Sequence, residues 1–437
     1  MLEFCRHERE LINLAVEQYE FAARYRPYRI GVRQAWPSAK ARDAELTELR
    51  KATPRLQQGS RKAQVAALKI VDQAYQNWWK NPRHFRRPSF TSKHRVYGFS
   101  MVGAGTDYTV RRLNRHWGEV KPPKFKTGIR FRITRSWSEI AESRSARITC
   151  DAAGRWHIVF VGKPVERERT STGKSVGIDR GVTNTIATSN NDFDHMPALT
   201  DGEKRRWLKL ERSLARQREH RKQWERHIRS NNDRDTARQI ISDAPLSNRY
   251  QANRLALGRL RCRLNNRRTN WIEQTTAGLV ETYDVIVLEN LQITNMVRSA
   301  KGTIEQPGRN VRAKAGLNRA ILAQRWGEFA ARLEQKADLS TSGAHIIYVP
   351  AAHTSQQCNN CDSPPRPENR ENQAVFVCAD CGHAAHADVN AAKNIHHRGI
   401  KLGAARGLRV AGREGQRTTS PPRKRQSNRP RIHPDAA

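Results

Sequence analysis

Apolar positions in the first eighty residues recur at steps of three and four. Val65, Leu68, Val71, Tyr75 and Trp78 fall on one face of a helix predicted over 40–80, which Asn81 and Pro82 end; residues 1–30 also read as helix. From 96 to 163 the pattern shortens. Tyr108–Leu113, Ile129–Thr134, Arg147–Thr149 and Trp156–Val161 are β-branched runs separated by Gly, Pro or Asn, which predicts a small antiparallel sheet or barrel. The polar stretch 168–175 reads as a linker. Beyond it, SVGIDRGVTNTIATS predicts two short strands joined around Thr183 and Asn184. Long helices follow at 202–229 and 250–280, each with a narrow apolar stripe: Trp207, Leu210, Leu214, Trp224 and Ile228 on the first, Leu257, Leu260, Leu264, Trp271 and Leu279 on the second. The run DVIVLENL (284–291) has the near-continuous apolarity of a strand buried on both faces. A basic loop, a helix near 314–337, the strand HIIYVP (345–350) and a short helix at 388–397 complete an α/β alternation over 173–397. The remaining tail is rich in Arg, Pro, Gly and Ser and is expected to be disordered.

Charge adds a partner to this outline. The 437 residues hold 80 Lys and Arg against 42 acids, a net charge of +38. Residues 401–437 carry ten of the cations and two of the acids, so the rest of the chain still stands at +30. Such an excess favours a polyanion, because each phosphate neutralised releases a counterion. HFRRPSFTSKHR, with Phe85 and Phe90 among its cations, reads equally as a nucleic-acid contact and as a loop pinned by two buried rings. KPPKFKTGIRFRITR is placed on the nucleic-acid face of the β-rich segment. No apolar run of about 18 residues exists to span a membrane. The start, MLEFCRHERELINL, is too charged for a signal peptide, so a cytoplasmic protein without membrane partners is expected.

Two constellations carry chemistry. Cys358-x2-Cys361 and Cys378-x2-Cys381 have the spacing of paired knuckles closing four thiolates around one structural Zn2+, with a redox pair or chance as the alternatives. Small and polar neighbours such as Asn359, Asn360, Asp362 and Gly382 leave backbone amides free to bond the sulfurs. Cys5, Cys150 and Cys262 stand alone, as small apolar or incidental residues. The second constellation is three acids. Asp179 lies in a strand between Gly177 and Gly181, which would let backbone and acid approach a ligand closely; Glu289 ends the apolar strand, and Asp388 starts the last helix. A carboxylate at a buried strand end is costly unless it meets a cation or a cleft. Three of them could hold two Mg2+ ions about 4 Å apart for phosphodiester hydrolysis. Taken singly, Asp388 reads as a helix cap and Glu289 as a surface acid; His386 is more readily a supporting residue than a ligand.

GIDRGVTNTIATS, VIVLENLQITNM, YVPAAHTSQQCNNC and FVCADCGHAAHADVNAAKNI resemble the three RuvC motifs and zinc ribbon of the TnpB (OrfB) proteins, transposon-encoded RNA-guided nucleases, and of their relatives the compact type V CRISPR effectors. The resemblance is specific across 173–397 and looser over 1–172. It implies a multi-domain α/β protein: a helical recognition lobe (1–91), a wedge-type β-barrel (92–172), an RNase H-like (RuvC) domain with a basic helical hairpin (173–354), a zinc ribbon (355–385), the last RuvC segment (386–397) and a disordered basic tail (398–437). Asp179, Glu289 and Asp388 match the catalytic acids, which the family would use with Mg2+. Cys358, Cys361, Cys378 and Cys381 match the zinc ligands. The implied activity is cleavage of double-stranded DNA chosen by guide-RNA pairing beside a short protein-read motif, in a prokaryotic, nucleoid-associated protein. Two departures stand out. His386-Ala387-Asp388 replaces the Asp-Arg-Asp usual in transposon members, a trait closer to the CRISPR branch, and the chain begins almost directly in helix, so the usual first barrel strand is absent or short. Two other functions remain in competition: an RNA-guided repressor that binds DNA without cutting it, and an unguided transposase.

Overall fold

The structure, a computed structural model, describes residues 1–25, 38–92, 98–103, 105–361, 363–370, 372 and 374–405. The expectations for 26–30 and 406–437 lie outside them. The chain divides into two compact units, one of residues 1–165 and 197–270, the other of 166–196 and 271 onward.

In the first unit the predicted helices form as α1 (Leu2–Tyr25), α2 (Ala39–Ala52), α3 (Pro54–Gln57) and α4 (Arg61–Lys80). Leu68, Val71 and Tyr75 pack with Leu11, Val16, Tyr19 and Leu46 in one core. The β-rich segment contains β1 (Gly98–Val102), β2 (Thr109–Arg112), β3 (Trp117–Lys121), β4 (Ile129–Arg132), β5 (Ser145–Cys150) and β6 (Trp156–Val161), with the one-and-a-half-turn helix α5 (Trp137–Ala141) between β4 and β5. The described strands pair as two three-stranded antiparallel sheets, β1-β5-β6 and β2-β3-β4. Phe99, Met101, Val120 and Ile148 fill a shared core between them. β1 and β3 were not anticipated: β1 is a five-residue strand opened by Gly98, and in β3 (WGEVK) the buried positions are Gly118 and Val120. Glu8 of α1 is buried beside this core at 3% exposure, and its carboxylate pairs with Arg147 at 3.2 Å.

The basic hairpin is α6 (Asp201–Asn231) and α8 (Asn248–Thr282), whose residues before Trp271 count with the first unit, joined through an unanticipated α7 (Arg234–Asp243). Thr200 and Glu203 make a reciprocal cap at the start of α6, and Glu203 also binds Arg267 (2.8 Å) and Arg263 (3.2 Å) of α8. Gly258 lets α8 lie against the β5–β6 turn: a Cβ there would sit 2.3 Å from the Ala152 carbonyl oxygen. The hairpin as far as Asn270 falls in the first unit, while the end of α8 packs through Leu279 and Val280 into the core of the second.

The second unit is built on a five-stranded sheet of order β11-β10-β7-β8-β9, from β7 (Ser175–Asp179), β8 (Ile186–Thr188), β9 (Phe193–Asp194), β10 (Val285–Glu289) and β11 (His345–Val349). β7, β8 and β9 form an antiparallel meander; β10 and β11 run parallel to β7 on its other side. All five β10 residues are buried, as the apolar run predicted. Side chains alternate between faces. Val176, Ile178, Ile286 and Leu288 meet Phe329 and Leu333 on one face, while Val285 and Val287 meet Ile395 on the other. The helix predicted near 314–337 is two, α10 (Val311–Ala323) and α11 (Trp326–Asp338), after a four-residue α9 (Ile293–Met296); Arg325 breaks them in a left-handed conformation (φ 53°). The last helix, α12 (Ala387–Ala405), runs past the predicted end at 397 and takes in 398–405, expected to belong to the disordered tail. The supposed linker at 168–175 is pinned: Asp284 accepts from the Arg169 guanidinium, the Ser171 hydroxyl and the Thr172 and Gly173 amides.

Candidate active site and metal centre

The alternation that buries the sheet also aims the acids. Positions 175, 177 and 179 of β7 share a face, as do 285, 287 and 289 of β10, and on that face lies α12. Ser175 Oγ is 2.8 Å from His396 Nε2, and a Cβ on Gly177 would meet the Ala392 carbonyl oxygen at 2.3 Å and the His396 nitrogen at 2.5 Å. One step further along β7 is Asp179, and one turn back along α12 is Asp388. Because β7 and β10 run parallel with Ile178 opposite Leu288, Asp179 and Glu289 end adjacent strands at the same edge. Gly177 thus serves the close approach of a helix, a correction to its reading as space for a ligand. Gly181 serves the turn after β7, donating its N–H to Asn184 O at 3.0 Å.

Each acid has distinct partners. Burial, with Glu289 and Asp388 close by, pushes the Asp179 carboxyl up to about 8. Glu289 is 6% exposed, and burial raises its carboxyl too, against the hydrogen bond that Thr354 Oγ1 donates to its Oε1 at 2.5 Å. Asp388 Oδ2 accepts from Asn184 Nδ2 at 2.8 Å, and Oδ1 lies 3.7 Å from the Arg370 guanidinium. The buried Arg180 donates to the Glu289 carbonyl. His386 Nδ1 accepts the Asp388 N–H at 3.2 Å, and its ring sits edge-on to Phe193, so it shapes the start of α12. Asp179, with two further carboxylates beside it, belongs to a donor set suited to a hard cation.

The cysteines lie next to this edge in the same unit. β12 (Val375–Val377) and β13 (Ala384–His386) form a hairpin that carries Cys378 and Cys381. Cys358 Sγ is 3.8 Å from Cys381 Sγ, Cys361 Sγ is 3.7 Å from Cys378 Sγ, and all four sulfurs lie within 4.8 Å of one another. A disulfide would need about 2.05 Å. Four thiolates arranged tetrahedrally at about 2.3 Å from a zinc ion would stand roughly 3.8 Å apart, so the spacing fits the metal and excludes a closed redox pair. The Asn360 N–H reaches Cys358 Sγ at 3.4 Å, as the polar neighbours suggested. Backbone N–H groups around Cys378, that of Cys381 first, hold its thiol down, while burial pushes the Cys358 thiol up, so the four sulfurs share charge unequally without a metal. Among the described residues these sulfurs are the one group of candidate ligands gathered this tightly; the three carboxylates converge without closing as far.

Sequence reasoning missed the residues that join the two centres. Asn390 and Asn394, one turn apart on α12 and buried, grip the segment before the first knuckle. Asn390 Nδ2 donates to Gln357 O, Asn394 Nδ2 donates to Thr354 O and Gln357 O, and Asn390 Oδ1 accepts the Asn359 N–H. Asn369, fully buried, ties Gln356 to Ala379 across the ribbon. Two amides on an otherwise Ala-rich helix face were the available signal.

In the first unit, Phe85 and Phe90 are exposed, at 41% and 60%, which removes the reading of a loop pinned by buried rings. A cavity of about 1060 Å3 opens beside β4 and α5, lined by Arg132, Arg135, Arg144 and Lys163 among others. Among the described residues no helix is long and apolar enough to cross a membrane.

Comparison with known proteins defines a class first. Residues 158–300 match the OrfB_IS605 family model, described as probable transposase, and residues 326–395 match the Cas12f1-like TNB domain. Among individual relatives, the chain is 28% identical over 382 residues to the "Putative RNA-guided DNA endonuclease InsQ" of Escherichia coli K12, covering 87% of this chain and 82% of that one. It is 43% identical over 54 residues to the CRISPR-associated endodeoxyribonuclease Cas12f1 of Sulfoacidibacillus thermotolerans, 12% of this chain and 13% of that one. A solved structure of CasPhi-2 (Cas12j) bound to crRNA aligns with 91% of this chain and 92% of its own at 12% identity, with a TM-score of 0.28. The resemblance read from the motifs is thereby shown: the chain is similar to OrfB over 158–300, to the Cas12f1-like TNB domain over 326–395, and to the Escherichia coli relative along most of its length.

Proposed function

We propose that this protein is an RNA-guided DNA endonuclease whose catalytic residues are Asp179, Glu289 and Asp388. The observation that carries the reading is the convergence of these acids, from β7, β10 and α12, on one face at one edge of the sheet. A meander of three strands with two parallel strands beside its first is the order of an RNase H-like (RuvC) sheet, and it supports assigning 173–354 and 386–397 to such a domain, interrupted by the ribbon at 355–385. Helices α1 to α4 and the two sheets β1-β5-β6 and β2-β3-β4 would take the places of the recognition lobe (1–91) and the wedge barrel (92–172).

The acids would hold two Mg2+ ions, which when bound supply activation of the attacking water and charge neutralisation at the leaving oxygen. The chain does the rest. Parallel strands fix Asp179 beside Glu289, Thr354 holds one Glu289 oxygen, and Asn184 with Arg370 orients Asp388. Four thiolates would hold a structural Zn2+ with no open position for catalysis. Arginine-rich α6 and α8 and the basic cavity by β4 would engage the phosphates of a guide RNA and its target double-stranded DNA, with base pairing choosing the site.

Sequencing the RNA that co-purifies with the protein expressed beside its native flanking DNA, then challenging the complex with matching DNA, tests this. One defined RNA with a constant scaffold and a variable end, directing Mg2+-dependent cuts, is expected. Guided binding without cuts would establish a repressor. Cutting and strand joining by protein stripped of RNA would establish a transposase.

A further inference from the structure

We infer that Thr354 is a positioning residue for Glu289, set in place by the Asn390–Asn394 face of α12, and that its hydroxyl determines how tightly the acid edge binds a divalent cation. The inference rests on the acid-edge reading above. Thr354 lies in no strand or helix, yet it is 3% exposed and sits against a carboxylate that is 6% exposed. Its Oγ1 is 2.5 Å from Glu289 Oε1 and 3.2 Å from Ala351 O. A hydroxyl has one hydrogen, and the shorter contact to the charged oxygen takes it. With Oε1 held, the carboxylate cannot turn freely, and Oε2 is left for another partner.

The loop that presents this hydroxyl is fixed from α12. Asn394 Nδ2 donates to Thr354 O (2.9 Å) and to Gln357 O (2.7 Å), Asn390 Nδ2 donates to Gln357 O (2.8 Å), and the Arg398 guanidinium donates to Ala352 O (2.7 Å). These donors lie at four-residue intervals on one helix face, while the neighbouring face seats on β7 and β10 through Ala392 and Gly399. One rigid helix therefore places Asp388 directly and Glu289 through Thr354. A merely structural threonine would not need its hydroxyl on the acid; removing an outer partner of a metal-binding carboxylate costs about 10–100-fold in affinity or activity.

The test uses the full-length protein and manganese as the probe, with bound Mn2+ followed by the loss of the free-ion EPR signal. Thr354→Val keeps the shape and removes the hydroxyl; Thr354→Ser keeps the hydroxyl. Thr354→Val is expected to weaken Mn2+ binding at least about 10-fold, with zinc content unchanged, and Thr354→Ser to stay within about twofold of wild type. The metal requirement for DNA cutting should shift in parallel. Wild-type affinity in Thr354→Val, or an equal loss in Thr354→Ser, overturns the inference. Should Thr354→Val fail to fold or lose zinc, Thr354→Ala carries the same expectation and the same refutation. If wild-type protein binds no more Mn2+ than Asp179→Ala does, the acid-edge reading itself fails and takes this one with it.

Discussion

At position 177 any side chain would put its first carbon 2.3 Å from the Ala392 carbonyl oxygen, so Gly177→Ala must lift α12 off β7. The expected cost is ~1–3 kcal/mol, as for overpacked cores, read as a lower Tm together with lost nuclease activity, since Asp388 rides on the same helix. A wild-type Tm would show that the seating is looser than described. Glu8 poses a different problem. Burial pushes its carboxyl up to about 7, against the pull of Arg147, whereas an unfolded glutamate titrates near ~4.3. The folded chain thus binds the proton more tightly, so this stabilisation is full below about pH 4 and is lost as pH rises through about 7. Glu8→Gln is accordingly expected to raise Tm at pH 8 relative to wild type and to leave it nearly unchanged at pH 4; an equal shift at both would contradict the assignment. The strand ends that carry Asp179 and Glu289 and the two cysteine knuckles were legible because each is a local pattern, whereas Asp388, which reads alone as a helix cap, was joined to them only by the resemblance. Thr354 was not legible: its partner is 65 positions away, and nothing beside it in the sequence marks it as buried.

The elements show the same division. Helix stripes and the buried β10 were readable because burial writes a period into the sequence. The break between α10 and α11 was not, since Arg325 adopts a positive φ without the glycine that usually announces one. α7 was hidden by its composition: its buried side is one alanine, and Asp233 caps it through the Asp235 and Thr236 amides. The linker expectation failed because one distant carboxylate, Asp284, binds a segment that looks structureless alone. The ribbon is the element whose removal should be most informative. Its strands are three residues each, and its small core is Phe376 with Cys358, Cys378 and Ala387. Without a metal such a hairpin has little to hold it. Cys378→Ser, or removal of zinc by chelation, is expected to abolish zinc content and to lower Mn2+ binding at the acid edge, because Cys358 and Thr354 lie on the same clamped segment. Full zinc content and full activity in Cys378→Ser would refute both roles.

Across the whole molecule the charge of +38 is the property seen first, and composition alone predicts its consequence. Each phosphate contact contributes a steep salt dependence, so RNA retention should fall by orders of magnitude between 50 mM and 500 mM salt. A flat response would mean that few of the cations on α6, α8 and the β4 cavity touch the backbone. Charge alone would not choose one RNA over another, since every RNA presents the same phosphates. The acid edge makes the sharper claim about the whole protein. The measurement that tests it most directly is cleavage of a guide-matched plasmid, in Mg2+ and with the co-purified RNA, by wild-type protein beside Asp179→Ala, Glu289→Ala and Asp388→Ala. Cutting by wild type alone, with all four proteins binding the DNA alike, is the predicted result; cutting that survives the loss of any one acid would contradict it.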